Sequence, residues 1–102
     1  MKSKENFPEN SYGERLISYG SSLEVSSFEL LLNNDNEKKA FEKLNCAIDY
    51  YRQALAYKES ENHARLALGK ALICRYDITF LRTDLDKAIE NLLVVKAEVA
   101  ML

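Results

Sequence analysis

The 102-residue chain has one proline, Pro8, and three glycines, Gly13, Gly20 and Gly69. From residue 21 onward Gly69 is the sole residue of either kind. An all-β domain needs a turn every ten residues or so, and this chain lacks the residues for them. Two cysteines, Cys46 and Cys74, lie 28 residues apart. A secreted domain of this size would carry a denser set. Both are read as reduced thiols acting as small buried hydrophobes, in a cytosolic or nuclear protein that we assign to the cytoplasm. The single histidine, His63, forms no zinc pattern with cysteines so far apart. There is no nucleophile elbow and no glycine-rich phosphate loop. The many carboxylates fall at helix-surface spacing among Lys and Arg, as a solvated face does. No catalytic residue, cofactor or metal ligand is therefore expected. With 14 basic and 16 acidic residues the net charge is -2, which gives no footprint for nucleic acid. No run approaches 18 uncharged apolar residues, so no membrane span is expected. Met1 to Asn10 is polar and lacks the apolar core of a secretory signal. Residues 1–10 are expected to be a frayed tail, and 11–102 one helical domain.

What the chain does have is helical periodicity. Tyr12, Leu16, Tyr19, Leu23 and Leu30/Leu31 recur at steps of three and four, with Ser11 and Glu14 at capping-box spacing. Gly20 and the serines at 18, 21, 22, 26 and 27 dilute this first helix, and a break near 20–22 or 26–27 is allowed for. The run Asn33-Asn34-Asp35-Asn36 reads as a linker, with Asn36 capping a second helix over 37–58. Phe41, Leu44, Ile48, Tyr51 and Leu55 give that helix one apolar stripe. A third helix over 62–80 follows a turn in which Ser60 or Asn62 is the cap. Gly69 in its middle costs about 1 kcal/mol against Ala, which calls for close approach of a neighbouring backbone. Thr83-Asp84 is expected to cap a fourth helix over 84–101, with Leu85, Ile89, Leu92, Val95/Lys96, Val99 and Leu102 as its stripe.

The second half echoes the first. Tyr19-Gly20-Ser21-Ser22-Leu23 parallels Leu68-Gly69-Lys70-Ala71-Leu72 at a shift of 49. Leu44-Asn45-Cys46-Ala47-Ile48-Asp49 parallels Leu85-Asp86-Lys87-Ala88-Ile89-Glu90 at a shift of 41. Small residues fall where paired helices would touch most closely. Two like helix pairs, 11–58 and 60–102, are the signature of a stacked array. The alternative is a closed four-helix bundle, which produces the same stripes.

At Leu68-Gly69-x-x-Leu72, at Asp84-Leu85-Asp86-Lys87-Ala88-Ile89-Glu90 and at Ala47-Ile48-Asp49-Tyr50-Tyr51-Arg52-Gln53-Ala54-Leu55, the chain resembles the tetratricopeptide repeat family. The resemblance covers 37–95 well and 12–32 poorly. The Gly69 to Ala88 gap is about two helical turns longer than in the usual repeat, and the closing prolines are missing. It implies an all-α fold of two antiparallel helix pairs stacked as a short α-solenoid. It also implies a non-catalytic scaffold or adaptor that binds a protein or peptide on the concave face of the first helix of each pair. Carried over by position, that face would hold Glu14, Ile17, Ser21, Glu24 and Val25, then His63, Leu66, Lys70, Ile73 and Cys74. Only Lys70 matches the family's carboxylate clamp, and Glu14 and Glu24 oppose it. Separately, residues 92–102 are apolar nearly all round, unlike a polar capping helix. Leu93, Val94, Ala97 and Met101 are therefore expected to meet a second copy of the chain, another chain or a further repeat.

Overall fold

The computed structural model describes residues 10–33 and 36–100. Four α-helices follow one another: α1 (Asn10–Leu32), α2 (Glu37–Ala54), α3 (Glu61–Thr79) and α4 (Arg82–Ala100). A 3-10 turn, Lys58–Ser60, precedes α3. The expected tail lies almost wholly outside the described residues, as do Asn34, Asp35 and Met101.

α1 and α2 run antiparallel, as their cross-contacts show. Tyr12 meets Tyr57 edge-on at 5.3 Å between ring centroids, and Tyr19 meets Tyr50 at 5.7 Å. The Ser27 hydroxyl donates to the Ala40 carbonyl at 2.6 Å. α1 does not break at its serines or at Gly20. The Ser27 hydroxyl leaves its own backbone for that of α2, so it no longer competes with the helix. α1 already includes Asn10, and the side chain of the expected cap Ser11 lies outside the described residues. Asn36 does cap α2, its Oδ1 accepting the Lys39 backbone N–H at 3.0 Å. α2 stops at Ala54 rather than near Lys58. The buried Ser60 hydroxyl donates to the carbonyls of Ala54 and Tyr57, which serves the end of α2 and leaves α3 without a side-chain cap.

α3 and α4 are antiparallel too, joined along three rungs. Arg65 donates to Asn91 Oδ1 at 3.1 Å. Gly69 faces Ala88 and Leu92. Arg75 grips Asp84 with two bonds, 2.8 and 3.0 Å, and also donates to Asn45 of α2 at 2.9 Å. Asp84 therefore bonds across to Arg75 instead of capping α4, and Arg82 begins that helix. The buried residues of α4 are Asp84, Ala88 and Asn91; of the expected stripe, Leu85, Leu92 and Val95 are half-buried beside them, whereas Ile89, Lys96 and Val99 are exposed. Among the described residues α3 is the helix that packs along α4, so a narrow strip is covered. α3 ends at Phe80, which takes a left-handed conformation, φ 59°.

The packing follows chain order: α1 on α2, α2 on α3, α3 on α4, with a lesser contact between α1 and α3. A closed bundle would require α4 to return against α1, and it does not. The fold is all-α, two antiparallel helix pairs in an open stack. Its core is built from Leu16, Leu44, Ala47, Ile48, Tyr51, Ala54, Ala64, Leu68, Ala71, Leu72 and Ala88.

Both midhelix glycines sit at close crossings. A Cβ on Gly20 would lie 2.5 Å from Tyr51 Cε1, and one on Gly69 would lie 2.8 Å from Leu92 Cγ. The echo is carried into three dimensions, since Tyr51 and Leu92 are themselves separated by the shift of 41. Gly20→Ala should cost about 1–3 kcal/mol in urea unfolding, because the Tyr51 ring is buried and cannot step aside. Gly69→Ala should cost less, because the end of Leu92 can rotate away.

The Asp84 carboxyl is held below the ordinary carboxylate range. Hydrogen bonds from Arg75 are the main cause, reinforced by the Arg75 charge and Thr79 and opposed by burial. A lowered folded-state pKa adds stability that is complete above the unfolded value, about 3.9, and is lost as pH falls through the folded value. Asp84→Asn should cost about 2 kcal/mol at neutral pH, since it leaves a half-buried Arg75 without its charge partner, and should flatten the acid limb of a stability–pH profile.

Candidate functional site

A groove of about 580 Å³ runs between α1 and α3. Its α1 wall includes Ile17, Ser21, Glu24, Val25, Phe28 and Leu31, and its α3 wall includes His63, Leu66, Lys70, Cys74, Asp77 and Ile78. Leu44 and Tyr51 of α2 form the floor. The two walls are a consequence of stacking. Each of these helices buries one face on α2 and leaves the adjacent face open across the gap.

Of the concave-face residues expected from sequence, Ile17, Ser21, Glu24, Val25, His63, Leu66, Lys70 and Cys74 line this groove. Ile73 does not; it is exposed outside it. Ile17 is a floor-level residue, 5% exposed, whereas Val25 at 57% and Leu66 at 41% stand free on opposite walls. Phe28, Leu31, Asp77 and Ile78 were not among the expected residues. The helical step from Cys74 predicts Asp77 and Ile78, and that from Ser21 and Val25 predicts Phe28. The projection stopped one turn short on each helix.

The groove closes at one end where His63 Nδ1 stands 2.9 Å from Glu14 Oε1. These residues are equivalents at the shift of 49. On the floor the Tyr51 hydroxyl donates to Glu24 Oε1 at 2.6 Å. Burial, then that bond and the Glu24 charge, raise the Tyr51 phenol well above its ordinary value. It remains a hydrogen-bond donor at any physiological pH. Among the described residues Lys70 has no ion-pair partner. Carboxylates outnumber cations around the walls, with Glu24 and Asp77 against Lys70.

Neither cysteine is the buried hydrophobe expected; both are exposed. Cys46 lies outside the core stripe of α2, and Cys74 turns toward the groove because Ala71 and Leu72 take the inner face of α3. Partial desolvation first, then the charges of Glu24 and Asp77, push the Cys74 thiol up, and Lys70 opposes them. Such a thiol is a poor nucleophile at neutral pH. Among the described residues no three His, Cys, Asp or Glu side chains stand together as metal ligands would. No helix of the described residues is long and apolar enough to cross a membrane.

The residues expected to meet another chain are also exposed on α4. Leu93 is 58% exposed, Val94 and Ala97 are open to solvent, and Met101 is outside the described residues. Compared with protein-family models, with curated proteins and with solved structures, the chain matches none.

The Cys74 environment sets a measurable property. In a Cys46→Ser variant, alkylation of Cys74 by iodoacetamide should rise with pH later than that of an unstructured thiol. Urea should restore ordinary behaviour. An early rise in the folded protein would contradict the acidic character of the wall.

Proposed function

We propose that the chain is a non-catalytic protein-interaction module of tetratricopeptide-repeat-like build, which takes an apolar helical peptide segment into the α1/α3 groove. The observation that carries this is the open apolar wall pair, Val25 and Phe28 across from Leu66 and Ile78, set over a buried floor of Leu44 and Tyr51. Contiguous exposed apolar side chains mark partner sites. A groove of this kind reads a partner through apolar anchors at helical spacing. The helix-pair stack and the glycine echo support the repeat-like reading. The acidic excess argues against capture of a free C-terminal carboxylate. We place the module in the cytoplasm on its unpaired cysteines.

Selection from a displayed peptide library against the whole chain tests this. Enriched sequences should carry apolar residues at i, i+3 or i+4, and i+7. Val25→Glu and Leu66→Glu should each weaken them at least tenfold, about 1.4 kcal/mol, without loss of thermal stability, because neither side chain is buried. Lys70→Glu should have a smaller effect. No enrichment, or binding indifferent to both glutamates, would defeat the reading.

A further inference from the structure

α4 carries a second stripe on the side away from α3. Asp86, Ile89, Leu93, Lys96 and Ala100 follow one another at steps of 3, 4, 3 and 4, and all are exposed. That spacing is a heptad seam, the pattern by which one helix lies along another. Asp86, Leu93 and Ala100 fall on one core position of the heptad, and Ile89 and Lys96 on the other. The repeat relationship makes the bareness of this stripe conspicuous. Ile48 of α2 is fully buried, since α2 has a helix on either side, whereas its counterpart Ile89 is 46% exposed.

We infer that this seam joins two copies of the chain in a two-fold dimer, with α4 antiparallel to α4 of the second copy. The charges on the seam select this occupant and this direction. A two-fold axis midway between Ile89 and Leu93 sets Ile89 against the partner's Leu93, twice. The next layers outward set Asp86 against the partner's Lys96, also twice. A parallel pairing would place Asp86 on Asp86 and Lys96 on Lys96, which repel. Among the described residues Lys96 has no ion pair within its own chain. Asp86 holds the exposed Arg82 at 3.0 Å and retains acceptor capacity for a second cation. Glu90, beside the axis, faces its own copy, and Lys87 at 3.6 Å offsets that charge. Ala97 flanks the seam, and Val94 falls outside it.

The contact is small. A helix of 19 residues is about 28 Å long, and a strip about 10 Å wide gives roughly 300 Å² per copy. A standard interface takes about 800 Å² per partner. The dimer is therefore a weak one, in rapid exchange, and fills only as protein concentration rises.

Sedimentation equilibrium on the whole chain over a wide concentration range tests this, with a charge exchange to fix the register. The parent protein should pass from monomer to dimer. Lys96→Glu places like charges in both outer layers and should weaken association at least tenfold. The double variant Asp86→Lys/Lys96→Glu restores opposite charges and should return association to within about threefold of the parent. Both sites are exposed, and thermal melts confirm that each variant is folded. A monomer at every concentration overturns the inference. So does a dimer indifferent to Lys96→Glu, or a double variant no better than the single one. Peptide binding in the groove does not depend on the outcome.

Discussion

The structure depends on how closely its helices approach. Wherever two of them cross, at least one side contributes glycine or alanine: Gly20 under Tyr51, Gly69 against Ala88 and Leu92, and Ala47, Ala54, Ala64 and Ala71 wholly buried in the core. Small residues bring backbones near enough that a core of modest size is filled without voids. They also leave little apolar area per crossing. Polar rungs then do part of the joining. Ser27 reaches the Ala40 carbonyl, Arg75 spans Asn45 and Asp84, and Arg65 meets Asn91. Among the described residues none of the buried side-chain polar atoms lacks a partner. Such rungs hold register in a way that apolar stripes alone do not.

That same close stacking determines where surface remains open. α1 and α3 are the first helices of their pairs and lie on one side of α2, so their free faces converge on the groove. α4 is covered by α3 alone and shows its far side to solvent. The two apolar surfaces thus arise from different features of one architecture. The groove lies between the two helix pairs, whereas the seam lies on the side of α4 away from its pair.

Much of the helix count, order and pairing was legible in the chain, because glycine in a helix interior demands a reason and both glycines pointed to the right one. Asn36 was legible as a cap because its side chain acts within its own turn. Residues whose partners are distant were not. Ser27 read as a helix breaker and proved to be a tie to α2. Asp84 read as a cap and proved to be the acceptor for Arg75. The cysteines read as core and proved to be surface, since local apolar neighbours do not say which way a helix is turned. The stripe of α4 held at Leu85, Leu92 and Val95 and missed at Ile89, Lys96 and Val99 for a related reason. Periodicity identifies an apolar face, but with a single neighbour the polar partners Asp84 and Asn91 fixed which face went inward. Within the groove, positional carry-over placed Ile17, Ser21, Glu24, Val25, His63, Leu66, Lys70 and Cys74 and missed the last turn, where the walls extend to Phe28 and Ile78.

Tyr51 belongs at once to the packing and to the groove. Its ring fills the hollow under Gly20, and its hydroxyl holds Glu24 at the groove floor. Occupancy of the groove and integrity of the first helix pair are therefore linked equilibria. Anything seated on that floor draws on the folded population and deepens it in proportion to the logarithm of its concentration. A cell could read the presence of such a guest simply as a longer lifetime of its host.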